Sequence, residues 1–306
     1  MMIERSRNFT ILSHIVLAVG ALIVLTPIAI LLIGATQSAE QISTPPFSLV
    51  PGSSFFDNIS EVWNGKGFSH AIMNSFIISL IVVAGKCVLA SITAFVVVFF
   101  RFRFAKVIFW MIFVTLMLPL EVRIVPTYSV AANMFEPIQF FLNMIGFSWL
   151  VEAVFGYTMH FEVNVINTYA GIAIPLIATA SGTFLFRQYF KQIPGELVEA
   201  AKVDGAGALR FFIDILLPIS KPMFAALITI MFISSFNTYM WPLMVATDKD
   251  MMTAVTSLTN LIPSEHNLNA TWNYALAGAT ITLLPPLAVI ILLQKWFIKG
   301  LVSKEK

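Results

Sequence analysis

Residues Glu196 to Pro222 read ELVEAAKVDGAGALRFFIDILLPISKP, the longest densely charged interval in a chain that is otherwise almost wholly apolar. Leu197, Val198, Ala200 and Ala201 alternate with charges, which predicts a short amphipathic helix over Glu196–Val203. Asp204-Gly205 ends it, because glycine accepts the left-handed conformation of a helix C-terminus. Leu209, Phe212, Ile213, Leu216 and Leu217 recur at helical spacing, so a second helix is expected over Ala208–Leu217, closed by Pro218. A helix-turn-helix of this size is compact enough to sit as a knob in the groove of a partner.

The rest of the sequence says where such a knob lies. Of the 306 residues, 58% are hydrophobic and only 11% charged; a soluble domain carries roughly 25% charged residues. The composition predicts an all-α membrane protein. About 20 apolar residues cross the hydrocarbon layer as a helix. Six segments qualify: Leu12–Ala35, Asn74–Phe100, Val107–Thr127, Tyr169–Phe186, Met223–Thr247 and Trp272–Leu293. Six transmembrane helices place fourteen of the eighteen Lys and Arg residues on one side. By the positive-inside rule that side is the cytoplasm. Both termini and the loop 187–222 are then cytoplasmic, in one transmembrane domain spanning 1–306. The charge-free run after Arg7 is longer than a signal-peptide core of roughly 7–15 residues, so it is read as a retained first span.

Two other stretches are read against this layout. Gln139–Met159 is apolar but carries Glu152 and is interrupted by Asn143, Gly146 and Gly156. Counting it as a span would move the Glu199 island outside, so it is expected in an outer loop as an interfacial helix. The first outer loop, Thr36–His70, has the turn chemistry Thr44-Pro45-Pro46 and Pro51-Gly52-Ser53-Ser54. It either caps the helices or docks a soluble partner.

A few polar groups fall inside the apolar segments. Lys86 lies 15 positions before Arg101 and Glu121 lies 15 after Lys106, which puts each about 22 Å from the cytoplasmic edge. Two readings stand side by side. Lys86 and Glu121 form a buried pair that fixes helix packing, or Lys86 and Arg123 face a translocation path and attract an anion. Arginine suits a phosphate because its planar fork holds two oxygens at once. Asn237, Tyr239 and Trp241 make a polar-aromatic patch, which either lines a polar cavity or bonds neighbouring helices. Pro285-Pro286 is expected to kink the last helix.

Several activities lack their residues. Gly85-Lys86 is followed by Cys87 and Gly65-Lys66 by Gly67, so neither completes a P-loop. The histidines His14, His70, His160 and His266 lack metal-ligand spacing. Cys87 is a single thiol with no disulfide partner in the chain. A net charge of +2 gives no electrostatic case for nucleic acid. Neither an enzyme nor a bound cofactor is expected.

EAAKVDGA followed by FFIDILLPISKP resembles the EAA loop of ABC importer permease subunits, the element that docks on a separate ATPase. Glu199, Ala200, Ala201, Asp204, Gly205, Ala206, Leu217 and Pro218 all match that motif. Gly207 departs from it, since many members carry Ser or Thr there as the next helix cap. The six-span layout and Gln294–Lys306 are similar to the carbohydrate-importer branch that includes the maltose permease. Phe109–Thr127, Ala178–Phe190 and the terminal KGLVSKEK are similar to its glycerol-3-phosphate permeases. The interval Ala131–Val165 is longer than that likeness leads one to expect.

The resemblance implies a type I ABC importer fold in a bacterial inner membrane. It implies an ATPase dimer, a second permease subunit and a periplasmic substrate-binding protein as partners. ATP and Mg would be bound by the ATPase, with no cofactor in this chain. Glu199 would be a docking contact, with Asp204 and Gly205 shaping the turn. The implied cargo is sn-glycerol-3-phosphate or a glycerophosphodiester. A neutral sugar or polyol is the alternative, and a stand-alone secondary transporter is a weaker one.

Overall fold

The computed structural model describes residues 7–100, 103–115, 118–157, 161–177, 180–264 and 271–302. His160 and His266 lie outside them. The chain divides into two compact units, Met1–Ser69 with Ser257–Leu284 and His70–Thr256 with Pro285–Lys306.

The first unit begins with α1 (Arg7–Thr36), whose side chains are almost all exposed along its apolar window. A helix that is apolar on every face is stable where its surroundings are lipid. Its far end is tied down by a polar knot. The buried Asn58 of α3 (Phe55–Ser60) donates to the carbonyls of Ala35 and Gln37 and accepts from Asn273 at 2.8 Å. Gln37, 1% exposed, donates to the carbonyls of Ser48 and Val50. The short α2 (Ala39–Ser43) is opened by a Ser38–Gln41 capping box, which satisfies two backbone donors reciprocally. The Thr36–His70 loop is thus an ordered cap on its own unit.

The second unit is built on α4 (Phe68–Phe99), a single unbroken apolar helix. Around it lie α5 (Ala105–Thr115), α6 (Leu120–Ala132), α9 (Tyr169–Ile177), α10 (Ala180–Phe190) and α14 (Lys221–Phe236). Gly85 and Gly182 allow the close approach. A Cβ on Gly182 would meet the Ala90 Cβ at 2.9 Å, and one on Gly85 would meet Ile177. Small residues at crossings are how membrane helices gain packing when lipid removes the hydrophobic drive. Near the other end of α4, Asn74 donates to the carbonyls of Asp250 and Met252 and accepts from the Tyr169 hydroxyl. Asn167, at φ 57, accepts from the backbone N–H groups of Thr247 and Asp248.

Three expected spans are single helices: α1, α4 and α17 (Trp272–Val302). The last remains helical through Pro285-Pro286. The other three are each described as more than one helix, two of them with a proline at the break. Val107–Thr127 is divided between α5 and α6, with Pro119 as the N-cap of α6. Proline has no N–H to give to the preceding turn, and its ring collides with that carbonyl. Tyr169–Phe186 is divided between α9 and α10 on either side of residues 178–179, which are not described. Met223–Thr247 ends as a helix at Phe236, and α15 (Met240–Val245) starts anew with Pro242 in its first turn.

Gln139–Met159 is two helices rather than one, α7 (Glu136–Met144) and α8 (Phe147–Phe155), bent by 81°. Gly146, at φ 73, makes the turn. Each has nine residues, about 14 Å of rise and too short to cross a bilayer alone.

Candidate functional site

Two sites come out of this architecture. The first is the knob. α11 (Gly195–Val203) ends at Asp204, whose backbone N–H donates to the Ala200 carbonyl. Gly205 follows in the left-handed region at φ 72, and the Ala206 N–H closes back on the Ala201 carbonyl at 2.9 Å. Gly207, extended at φ −70 and ψ 169, then opens the second arm. It does so with no side-chain cap, and glycine serves there only slightly less well than serine.

The second arm departs from the expected Ala208–Leu217 helix. It runs as α12 (Ala208–Arg210), a π-helical turn (Phe211–Leu216) and α13 (Leu217–Ile219). Pro218 therefore sits in the first turn of α13 and does not close the arm. In an α-helix its ring would strike the Asp214 carbonyl. The wider π turn, with the Leu217 N–H reaching back to the Phe212 carbonyl, relieves that collision. The arm ends at Ser220, where the chain turns by 72° into α14.

The knob has two faces. Ala201, Phe211, Phe212 and Leu216 are buried. Phe212 lies 4.9 Å from Phe95 and Phe211 5.4 Å from Phe99, centroid to centroid. Phe100 and Phe190 extend this aromatic footing, T-shaped on Phe95 and tilted on Phe99. Phe95 and Phe99 lie on α4, so the knob stands on the end of that helix. The opposite face carries Val203 at 88% and Leu209 at 71% exposed, flanked by exposed Glu199, Ala200, Asp204, Gly205 and Pro218. Arg210 and Asp214 pair across one turn at 3.5 Å on the same arm. Val203 and Leu209 are thus large apolar side chains left without packing on a charged turn. Phe211, Phe95 and Phe99 were not singled out in the sequence, and Phe212 only for its helical spacing; the doublets Phe99-Phe100 and Phe211-Phe212 were the signal.

The second site is an open cavity of about 330 Å³ in the second unit. Lys86, Ala90 and Thr93 of α4, Thr115 of α5, Arg123 of α6 and Thr183 of α10 are among the residues that line it. Lys86 is 8% exposed, and its ammonium contacts the Met231 sulfur at 3.6 Å, a weak acceptor. The Arg123 Nε is buried with no hydrogen-bond partner. The Lys86–Glu121 pair does not form. Once Pro119 breaks the helix, Glu121 turns to an exposed position on α6. Arg210–Asp214 is the one salt bridge among the described residues.

The polar-aromatic patch is also dispersed. Asn237 is the exposed C-cap of α14, Tyr239 is half-buried at the N-cap of α15, and neither lines the cavity. Trp241 is fully buried, and its indole N–H donates to the Ile172 carbonyl at 3.0 Å. It packs among Ile78, Val82, Ala173 and Val245, so it is a core residue and not a cavity wall.

With this geometry in view, comparison with known proteins is decisive on family. Residues 86–303 match the family described as binding-protein-dependent transport system inner membrane component. The chain belongs to this family. It is 39% identical over 311 residues, the full length of both chains, to the sn-glycerol-3-phosphate transport system permease protein UgpE of Yersinia enterocolitica. Identity to the protein of the same name from Rhizobium meliloti is 39% over 312 residues. Among solved structures, a bacterial ABC transporter involved in import of the acidic polysaccharide alginate superposes at a TM-score of 0.71 and 21% identity, over 97% of this chain and 99% of that one. The alginate transporter in complex with an alginate pentasaccharide-bound periplasmic protein superposes at 0.65 and 14%, over 97% and 96%. These likenesses carry the ABC importer fold. As a member of the family the chain is a multi-pass inner-membrane permease subunit, a transport component and not an enzyme.

Proposed function

We propose that this permease subunit serves an ATP-driven importer of sn-glycerol-3-phosphate or glycerophosphodiesters. Its relatives, identical at 39% along their whole length, carry that cargo in their name. A separate ATPase dimer binds ATP and Mg and takes hold of the Glu199 knob. A second permease subunit completes the pathway, and a periplasmic binding protein delivers the cargo. Both termini and the knob face the cytoplasm, because that arrangement gathers fourteen of the eighteen basic residues on one side. The α7–α8 hairpin then belongs to the outer face.

The observation that carries the coupling role is the two-sided knob: Val203 and Leu209 free on one face, Phe211 and Phe212 rooted on α4 by the other. Closure of the ATPase pair would move the knob as a rigid piece and carry the end of α4 with it. Lys86 lies nine residues along that helix from Phe95, about 14 Å away, so the movement reaches the cavity wall. The membrane pathway would then alternate between inward-open and outward-open.

Affinity purification tests the docking half of this reading. The wild-type chain is expected to bring its ATPase with it. Glu199→Lys, which reverses charge at an exposed contact without touching the aromatic footing, is expected to weaken association about tenfold, as opposed charges at a rim typically do. Unchanged association and unchanged substrate-stimulated hydrolysis in the Glu199→Lys complex would remove Glu199 from the interface.

A further inference from the structure

The cavity of the second unit holds two cations and no acid among its described lining residues. That imbalance identifies a ligand class. Lys86 is more than nine-tenths buried and has only a thioether beside its ammonium. Arg123 brings a guanidinium to the same cavity, with its Nε buried and unpaired. Two like charges lining one pocket repel one another, and a buried cation such as Lys86 is costly without a counter-charge. Glu121, the acid nearest in sequence, is exposed and does not line the cavity. No acid among the described residues lines the cavity, so an anionic ligand would supply the balancing charge.

We infer that Lys86 and Arg123 form an anion cradle within the membrane domain, which receives the phosphate group of the cargo during passage. The inference rests on the proposed phosphorylated cargo and assigns the selection of its charge to this subunit. A phosphate offers several acceptor oxygens to a point charge and a planar fork at once. A cavity of about 330 Å³ lies at the lower end of small-ligand sites, which suits a compact phosphoester better than an extended oligosaccharide. Thr93 and Thr183 are among the same lining residues, and a glycerol moiety needs hydroxyl partners of that kind.

The test uses the assembled transporter in nanodiscs and proteoliposomes, comparing wild type with Lys86→Met and Arg123→Gln. Methionine keeps the length of Lys86 and removes a buried charge, so the empty complex should be no less heat-stable than wild type. A structural role for the lysine would lower its melting temperature instead, and that result would overturn the cradle. sn-Glycerol-3-phosphate and, separately, inorganic phosphate are expected to raise the melting temperature of the wild-type membrane subunits, with glycerol as the neutral control. Each variant should lose that shift and at least about tenfold of uptake, the scale of one charge-assisted hydrogen bond. ATPase co-purification should stay at the wild-type level.

Variants that import sn-glycerol-3-phosphate as well as wild type would overturn the cradle and leave the cargo intact. Wild type that imports no sn-glycerol-3-phosphate, yet is stabilised by inorganic phosphate through Lys86 and Arg123, would remove the cargo and leave the cradle standing. No stabilisation by either anion would remove the cradle.

Discussion

Val203→Asp combined with Leu209→Asp is expected to abolish association with the ATPase while leaving the membrane domain folded. Both side chains stand free of their own chain, at 88% and 71% exposure, so the substitution removes no internal packing. In the complex the same two positions would be buried against the partner. An unpaired carboxylate buried at an interface costs about 3–5 kcal/mol, and two are more than enough to weaken binding a hundred- to a thousandfold. Co-purification of the ATPase measures the loss. The melting temperature of the isolated permease, unchanged from wild type, shows that the effect lies in docking and not in folding. A double variant that still retains its ATPase would place the interface elsewhere.

Phe212→Ala is expected to act on the opposite face and to give the opposite pattern. Phe212 is 9% exposed and its ring lies 4.9 Å from Phe95. Removing a buried phenylalanine costs about 3–5 kcal/mol and leaves a cavity. Here the void opens between the knob and α4, beside the existing space of about 190 Å³ bounded by Phe95, Phe99, Ala201 and Phe211. The docking surface is untouched, so the ATPase still binds and still hydrolyses ATP. Its movement is no longer handed on to α4. The ratio of ATP hydrolysed to cargo imported should therefore rise about tenfold or more. Phe212→Leu, which keeps most of the volume, should restore much of the coupling. Equal losses of hydrolysis and uptake in Phe212→Ala would mean that the aromatic footing supports folding and not transmission.

Much of this architecture was legible in the sequence, for identifiable reasons. The knob could be read because it is amphipathic: the alternation of Leu197, Val198, Ala200 and Ala201 with charge reports a helix with two environments. Gly205 could be read because the left-handed turn needs it. The long helices α1, α4 and α17 could be read from length and apolarity alone. The interruptions were harder. Hydropathy averages over a proline, so Val107–Thr127 counts as one span, although Pro119 itself signals a disturbed helix before Arg123. The same blindness hid the break after Phe236, where Asn237 becomes a cap instead of a polar group at mid-helix.

The candidate cavity was legible only in part. Depth along a straight helix placed Lys86 and Glu121 at one level and made them look like a pair. Once α6 starts afresh at Leu120, that ruler no longer applies, and Arg123 shares the cavity with Lys86 in place of Glu121. Trp241 was left between two readings for a related reason. An indole in an apolar run satisfies its N–H equally well against a ligand or a carbonyl, and only tertiary packing shows that the partner is Ile172. The π turn at Phe211–Leu216 could have been anticipated from Pro218, whose ring needs room one turn earlier.

Uptake of radiolabelled sn-glycerol-3-phosphate into proteoliposomes tests the central claim most directly. The vesicles hold this chain with its second permease and ATPase, the binding protein is outside, and ATP is enclosed. Accumulation is expected only when ATP is present, and it should vanish in the Val203→Asp, Leu209→Asp double variant. Accumulation that persists without ATP, or that survives in the double variant, would contradict an ATP-driven importer coupled through the Glu199 knob.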